Sequence, residues 1–260
     1  MLVKIFQHLI RFLLQHNRSI FMIRFFLKFA LFAVFGICIF ASACKKKDDT
    51  VIISDVIAQS MLVNGADTSN LDFYINGTKQ TTAAVSFGTN SPYFNVKITG
   101  SQKTAIAVKS ATTTLSFADS ILMSDKVGYT FFVYRDSNSV KKPGYEIITD
   151  DLSVPGAGKS KIRIAHLVND ILTYGLDIES TTAGSKPTAR NDLSNLRFKN
   201  VSNFVEVNKG VQDIIIKISG TTNIVTTISN ANLLEGKVYT FVLQGTKANN
   251  NLKINSITNL

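Results

Sequence analysis

The run Tyr129-Thr130-Phe131-Phe132-Val133 returns about 110 residues later as Tyr239-Thr240-Phe241-Val242-Leu243, and this recurrence constrains the fold more than any other feature of the chain. Other pieces return in the same order. Leu71-Asp72-Phe73 recurs as Leu176-Asp177-Ile178, and Tyr93-Phe94-Asn95-Val96 as Asn203-Phe204-Val205-Glu206-Val207. Between the copies lies Asp150-Asp151-Leu152-Ser153-Val154-Pro155-Gly156-Ala157-Gly158, whose Pro and Gly residues mark a boundary. Two small domains are therefore expected, at 51–155 and 161–260, joined by a linker at 156–160.

Each unit reads as β structure. The stretches 71–75, 94–98, 162–165 and 252–255 are short and rich in β-forming residues, and several alternate apolar with polar as a half-buried strand does. Asn76-Gly77 is a hairpin turn signal, and no segment after residue 50 holds a helical period. The expected fold is all-β, two tandem immunoglobulin-like β-sandwiches. Tyr239 enters its strand three residues after Gly236, and Tyr129 does so in a looser version. Both are expected to be structural corner tyrosines, whose hydroxyl bonds back to nearby backbone.

Upstream of the repeats the composition changes. Residues 1–43 hold five cations (Lys4, Arg11, Arg18, Arg24, Lys28), no acid, and an unbroken apolar run from Phe29 to Ala41. A spanning helix needs roughly 20 apolar residues, whereas a signal peptide needs about 7 to 15 after a basic start. A cleaved signal peptide at 1–43 is expected, with Met22 as an alternative start. Ala41-Ser42-Ala43 before Cys44 resembles a bacterial lipoprotein processing site, which makes Cys44 the expected lipidation site and 44–50 a polar tether. Cys38 leaves with the leader, so no intramolecular disulfide is expected in the mature chain. The formal charge of +10 falls to +5 once the leader cations are removed, and the remaining basic residues are scattered. A nucleic-acid groove is not expected.

The succession Lys161 to Asp170, Leu176-Asp177-Ile178, Phe198 and Gly236-Lys237-Val238-Tyr239-Thr240-Phe241 resembles the DUF4397 family, frequent in exported bacterial proteins, often in tandem and often on Bacteroidota lipoproteins. His166 and Asp170 match the family's opening motif, while Asn169 and Ile171 stand where it has prolines; the first copy lacks the His. The resemblance implies an envelope location, at the outer membrane through the N-terminal lipid and either periplasmic or surface-exposed. It implies no established activity.

Catalytic chemistry finds little footing. Gly156-Ala157-Gly158-Lys159-Ser160 has Ser153 where a phosphate loop needs Gly, and it opens a strand rather than a helix. His166 is the one histidine after the leader, too few for a histidine zinc site, and no Gly-x-Ser-x-Gly elbow accompanies it. It is expected to bond locally to Asp170. Asp72, Asp177, Glu179, Asp150 and Asp151 form no evident opposed pair. Asp150 and Asp151 read as linker-solvating, with a weak Ca²⁺ contact as the other reading. No catalytic residue, metal or cofactor is expected. His166, Asp170, Tyr174, Tyr93 and Tyr145 remain as candidate contacts to a glycan or protein ligand. The expected function is a binding or adhesion module of the cell envelope; the alternatives are a structural component of the outer membrane and, third, a glycan-active enzyme.

Overall fold

The computed structural model describes residues 56–259 apart from 68, 99–101, 111–115, 137–142, 172–173, 183–184 and 249. These residues belong to one compact unit, Ile53–Leu260. The expected leader, Cys44 and its tether lie outside the described residues.

The first half carries β1 (Val56–Gly65), β2 (Leu71–Ile75), β3 (Thr78–Lys79), β4 (Thr89–Asn90), β5 (Phe94–Ile98), β6 (Thr104–Ser110), β7 (Ser116–Ile121), β8 (Gly128–Arg135) and β9 (Pro143–Asp150). One sheet runs β4-β1-β8-β9, with β5 also on β1, and the other runs β3-β2-β6-β7. The second half repeats this plan with β10 (Lys159–Val168), β11 (Leu176–Thr182), β12 (Thr188–Ala189), a 3-10 turn at Asn191–Leu193, β13 (Val205–Asn208), β14 (Gly210–Ile218), β15 (Ile224–Leu233), β16 (Val238–Gly245) and β17 (Lys253–Thr258). Its sheets run β13-β10-β16-β17 and β12-β11-β14-β15. In each half the first strand pairs parallel with the last but one, β1 with β8 and β10 with β16. The all-β expectation of two sandwiches holds. Lys159 and Ser160, expected in the linker, are already paired strand against Asn208 and Val207.

Three apolar clusters order the layers. Ala58, Leu62, Phe73, Val108 and Phe131 close the first sandwich, and Ile162, Ile164, Ile178, Ile216 and Phe241 close the second. The third cluster, Met61, Val63, Phe132, Tyr134, Ala165, Leu167, Val242 and Ile257, lies between the β1/β8 sheet of one and the β10/β16 sheet of the other. Side chains alternate faces along a strand, so Phe131 and Val133 enter their own sandwich while Phe132 and Tyr134 enter the contact between sandwiches. Burial on both faces removes the polar alternation from β8 and β16. The contact is close: a Cβ on Gly65 would lie 2.9 Å from the Leu167 side chain and from the Val133 carbonyl oxygen.

Candidate functional site

The strand registers set the two halves in correspondence. Thr130 pairs with Met61, and Thr240 with Arg163, so Arg163 stands where the first half has Met61. By the same registers Asn259 corresponds to Asp150, and Phe204 to Tyr93. Equivalent faces of the two sandwiches meet, in the manner of an isologous dimer interface, and these positions gather at its centre.

There they form a closed polar ring. Arg163 Nη1 lies 2.7 Å from Asp150 Oδ1, with both side chains almost completely buried. Arg163 Nε donates to Thr240 Oγ1 at 2.8 Å, and Nη2 to Thr130 Oγ1 at 3.1 Å. Thr130 Oγ1 and Tyr93 Oη each donate to Asp150 Oδ2 at 2.7 Å. Thr240 Oγ1 donates to Asn259 Oδ1 at 2.6 Å, and Asn259 Nδ2 returns to Tyr93 Oη at 3.0 Å. The guanidinium carbon sits 4.4 Å from the Phe204 ring centroid and 5.3 Å from that of Phe132, a cation–π arrangement. Burial draws Arg163 below its ordinary pKa, and Asp150 opposes that shift. Burial, followed by the Asp150 charge, raises the Tyr93 phenol. A buried pair is tolerated when further hydrogen bonds support it; here Thr130 and Tyr93 serve Asp150 Oδ2, Thr240 and Thr130 serve the guanidinium, and Oδ1 has Arg163 alone. Asp150 is therefore an interface anchor, which corrects its reading as a linker-solvating or calcium-contacting group. Tyr93 likewise is committed to the interface and is not a free ligand contact.

Asp151, one residue on, faces the other way. Its carboxylate accepts from Lys161 Nζ at 2.8 Å and from Ser153 Oγ at 2.6 Å and N at 3.0 Å, and these bonds, Lys161 foremost, hold its pKa down to about 2. The neighbouring Gly-rich loop already has carboxylates on its amides: Gly156 N–H donates to Glu206 at 2.9 Å and Gly158 N–H to Glu235 at 2.7 Å.

His166 is fully buried on the core-facing side of β10. Its Nδ1 accepts from the Val168 amide at 3.3 Å. Burial lowers its pKa to about 4, against the opposing influence of the Ile171 backbone and Asp170. In the first half the register places Asn64 at this position, and Asn64 Oδ1 accepts from the Ala66 amide at 3.0 Å. The two side chains serve the same turn two residues downstream, although the sequences share nothing there. The expected His166–Asp170 bond does not form. Asp170 instead accepts from the Lys247 and Ala248 amides at 3.0 and 2.6 Å, fixing the loop after β16.

Tyr145 lies in β9, stacked on Phe117 at 4.1 Å and donating to Asp119 Oδ2 at 2.7 Å. Tyr174 is exposed, two residues before β11 begins. Tyr129 Oη accepts from the Ser124 amide at 2.9 Å, and Tyr239 Oη from the Leu234 amide at 3.0 Å, each five residues upstream. The remaining carboxylates hold their own surroundings. Asp177 accepts from the amides of Asn195 and Gly220, Asp72 from Thr81 and Lys79, and Glu179 pairs with Lys217 at 2.6 Å.

A cavity of about 230 Å³ opens in the second sandwich, at the end opposite Asp170 and Tyr174. Ser180, Thr188, Asn208 and Gln212 line it, with Lys186 at its rim and Val207 as its apolar floor. No candidate ligand contact named from the sequence lines it.

No curated protein matches this chain. The sequence pattern of a domain of unknown function, DUF4397, matches residues 60–173, which span the first sandwich from Ser60 in β1 and continue through β10 of the second. The chain thus carries a DUF4397 domain at residues 60–173.

Proposed function

We propose that this chain is a non-catalytic binding module of the cell envelope, exported through a signal peptide at 1–43 and held at the outer membrane by lipid on Cys44. In this reading the second sandwich is another copy of the domain found in the first half. The module offers its sandwich ends to a glycan or to an envelope protein.

The observation that carries this reading is the closed Arg163–Asp150 ring between the sandwiches. It joins the two halves into one body and covers the broad apolar sheet faces, which leaves loops, edges and the polar slot of the second sandwich as surfaces for a partner. The described carboxylates are engaged in turns, ion pairs and the interface, which supports binding over hydrolysis.

The same joined body also favours a second reading, a rigid spacer in an outer-membrane assembly. Labelling with a radioactive lipid precursor, protease shaving of whole cells and a glycan array separate these. Binding predicts acylation lost in Cys44→Ser, together with array or calorimetric hits. A spacer predicts stable co-purification with an envelope complex and no glycan hit. Hydrolysis of an array glycan would overturn both.

A further inference from the structure

The two sandwiches differ where β2 and β11 end. In the first, Ile75 packs into the core with 6% exposure, and β2 turns directly into β3 through Asn76-Gly77. Both turn residues hold positive φ, 48° and 79°, as a two-residue hairpin requires. In the second, the register puts Ser180 at the place of Ile75, and β11 runs two residues further to Thr182 before returning as β12 at Thr188. Loss of the aliphatic plug and lengthening of the hairpin open the slot between the sheets.

We infer that this slot is a saccharide subsite for a hydroxyl-rich ring bearing a carboxylate, that is, one acidic sugar of a glycan. The inference rests on the binding reading above and gives it a site and a ligand class.

The lining decides the class. Ser180 and Gln212 occupy core-facing positions, so their polar groups sit above Val207, which is 3% exposed. Thr188 and Asn208 flank them. Gln212 Nε2 already donates to the Asn208 carbonyl oxygen and Asn208 Oδ1 accepts from Lys159 Nζ, so the hydroxyls of Ser180 and Thr188 and the Gln212 carbonyl oxygen are what the slot offers. Hydroxyls donate and accept together, which suits the vicinal hydroxyls of a sugar and disfavours an apolar ligand. No carboxylate lines the slot, so nothing there attracts a cation. Arg190 forms part of the wall, fixed by Asp192 at 2.8 and 3.1 Å. Lys186 is exposed and has no ion-pair partner among the described residues, leaving its ammonium available to an anion. About 230 Å³ is below the roughly 300–1,000 Å³ of drug-sized ligand sites, which fits a single ring.

Titration of the full chain in detergent with an oligogalacturonide and with the matching neutral oligogalactoside, followed by NMR and calorimetry, tests the inference. The acidic oligomer is expected to bind at least about tenfold more tightly, because a charge-assisted bond is added. Shifts should centre on Ser180, Thr188 and Gln212. Lys186→Ala should lose about that tenfold. Ser180→Ile, which restores the plug of the first sandwich, should abolish binding with the thermal transition retained. Equal affinity for the two oligomers, shifts confined to the Asp170–Tyr174 end, or unchanged binding by both variants would overturn the slot while leaving the broader binding reading standing. Absence of any hit across a full glycan array and a pull-down of envelope proteins would remove both.

Discussion

The two sandwiches share a plan of strands and diverge at the face where they meet. Tyr129 and Tyr239 make the same hydrogen bond five residues upstream, and Thr130 and Thr240 both touch the same guanidinium. Yet Met61 faces Arg163, Tyr93 faces Phe204, and Asp150 faces Asn259 across the correspondence. By the same correspondence, a contact between two second halves would put Asn259 where Arg163 finds Asp150, and one between two first halves would put Met61 where Asp150 finds Arg163, so a buried charge would go unmatched in either. Unlike residues at equivalent positions make the pairing between different halves the favoured one, by complementing a buried charge only there. The lesson is that two sandwiches can share an internal framework and use their outward faces to choose their partner.

The sharpest way to break this comparison is to unbalance the buried pair. Asp150→Ala leaves Arg163 charged and unmatched, and should cost about 3–5 kcal/mol in urea unfolding. Replacing the pair together, Arg163→Met with Asp150→Asn, gives each half the residue that the other carries at that position. It should recover most of that loss; a double variant as unstable as the single one would show that the ring does not act as a unit.

Next in size is the difference between Asn64 and His166. His166 has an ordinary pKa of 6.5 when unfolded and about 4 when folded, because burial disfavours the cation. The unfolded chain therefore binds more protons between these values, and its stability is full above about pH 6.5 and falls as pH drops toward 4, by about 3 kcal/mol. His166→Asn installs the residue of the first half and should flatten that part of the stability curve. An unchanged slope between pH 4.5 and 6.5 would assign it to another group.

Tyr129→Phe and Tyr239→Phe test what the halves share. Each removes the acceptor of one backbone amide and should cost about 1–2 kcal/mol, with nearly equal values in the two halves. A large inequality would mean that the corners carry different loads. The smallest effect is expected at Asp151→Asn. Its side chain is 58% exposed, so solvent screens its pair with Lys161 and the loss should stay under about 1 kcal/mol.

The strands and the two corner tyrosines were legible because each depends on residues near in sequence: alternation along a run, or a Tyr set shortly after a turn. The ligand candidates were less legible. Tyr93, Tyr145 and Tyr174 look alike in sequence, but only Tyr174 is left exposed, because Asp150 and Asn259 claim Tyr93, and Phe117 and Asp119 claim Tyr145. The slot at Ser180 had one faint signal, a serine where the recurrence of Leu71-Asp72-Phe73 as Leu176-Asp177-Ile178 would put the counterpart of Ile75, but only the fold shows that this position looks between two sheets.

Asp150 and Asp151 show most plainly where sequence ends and tertiary structure begins. The chain alone determined two β units and a polar pair at their boundary. It did not decide which carboxylate would be buried, since consecutive residues leaving a strand point to opposite sides. Only the meeting of β8 and β9 with β10 and β16 sends Asp150 to Arg163 and leaves Asp151 at the surface. Local backbone preference writes the strands. The partner of a buried charge is set by which faces come together, and that depends on segments distant in sequence.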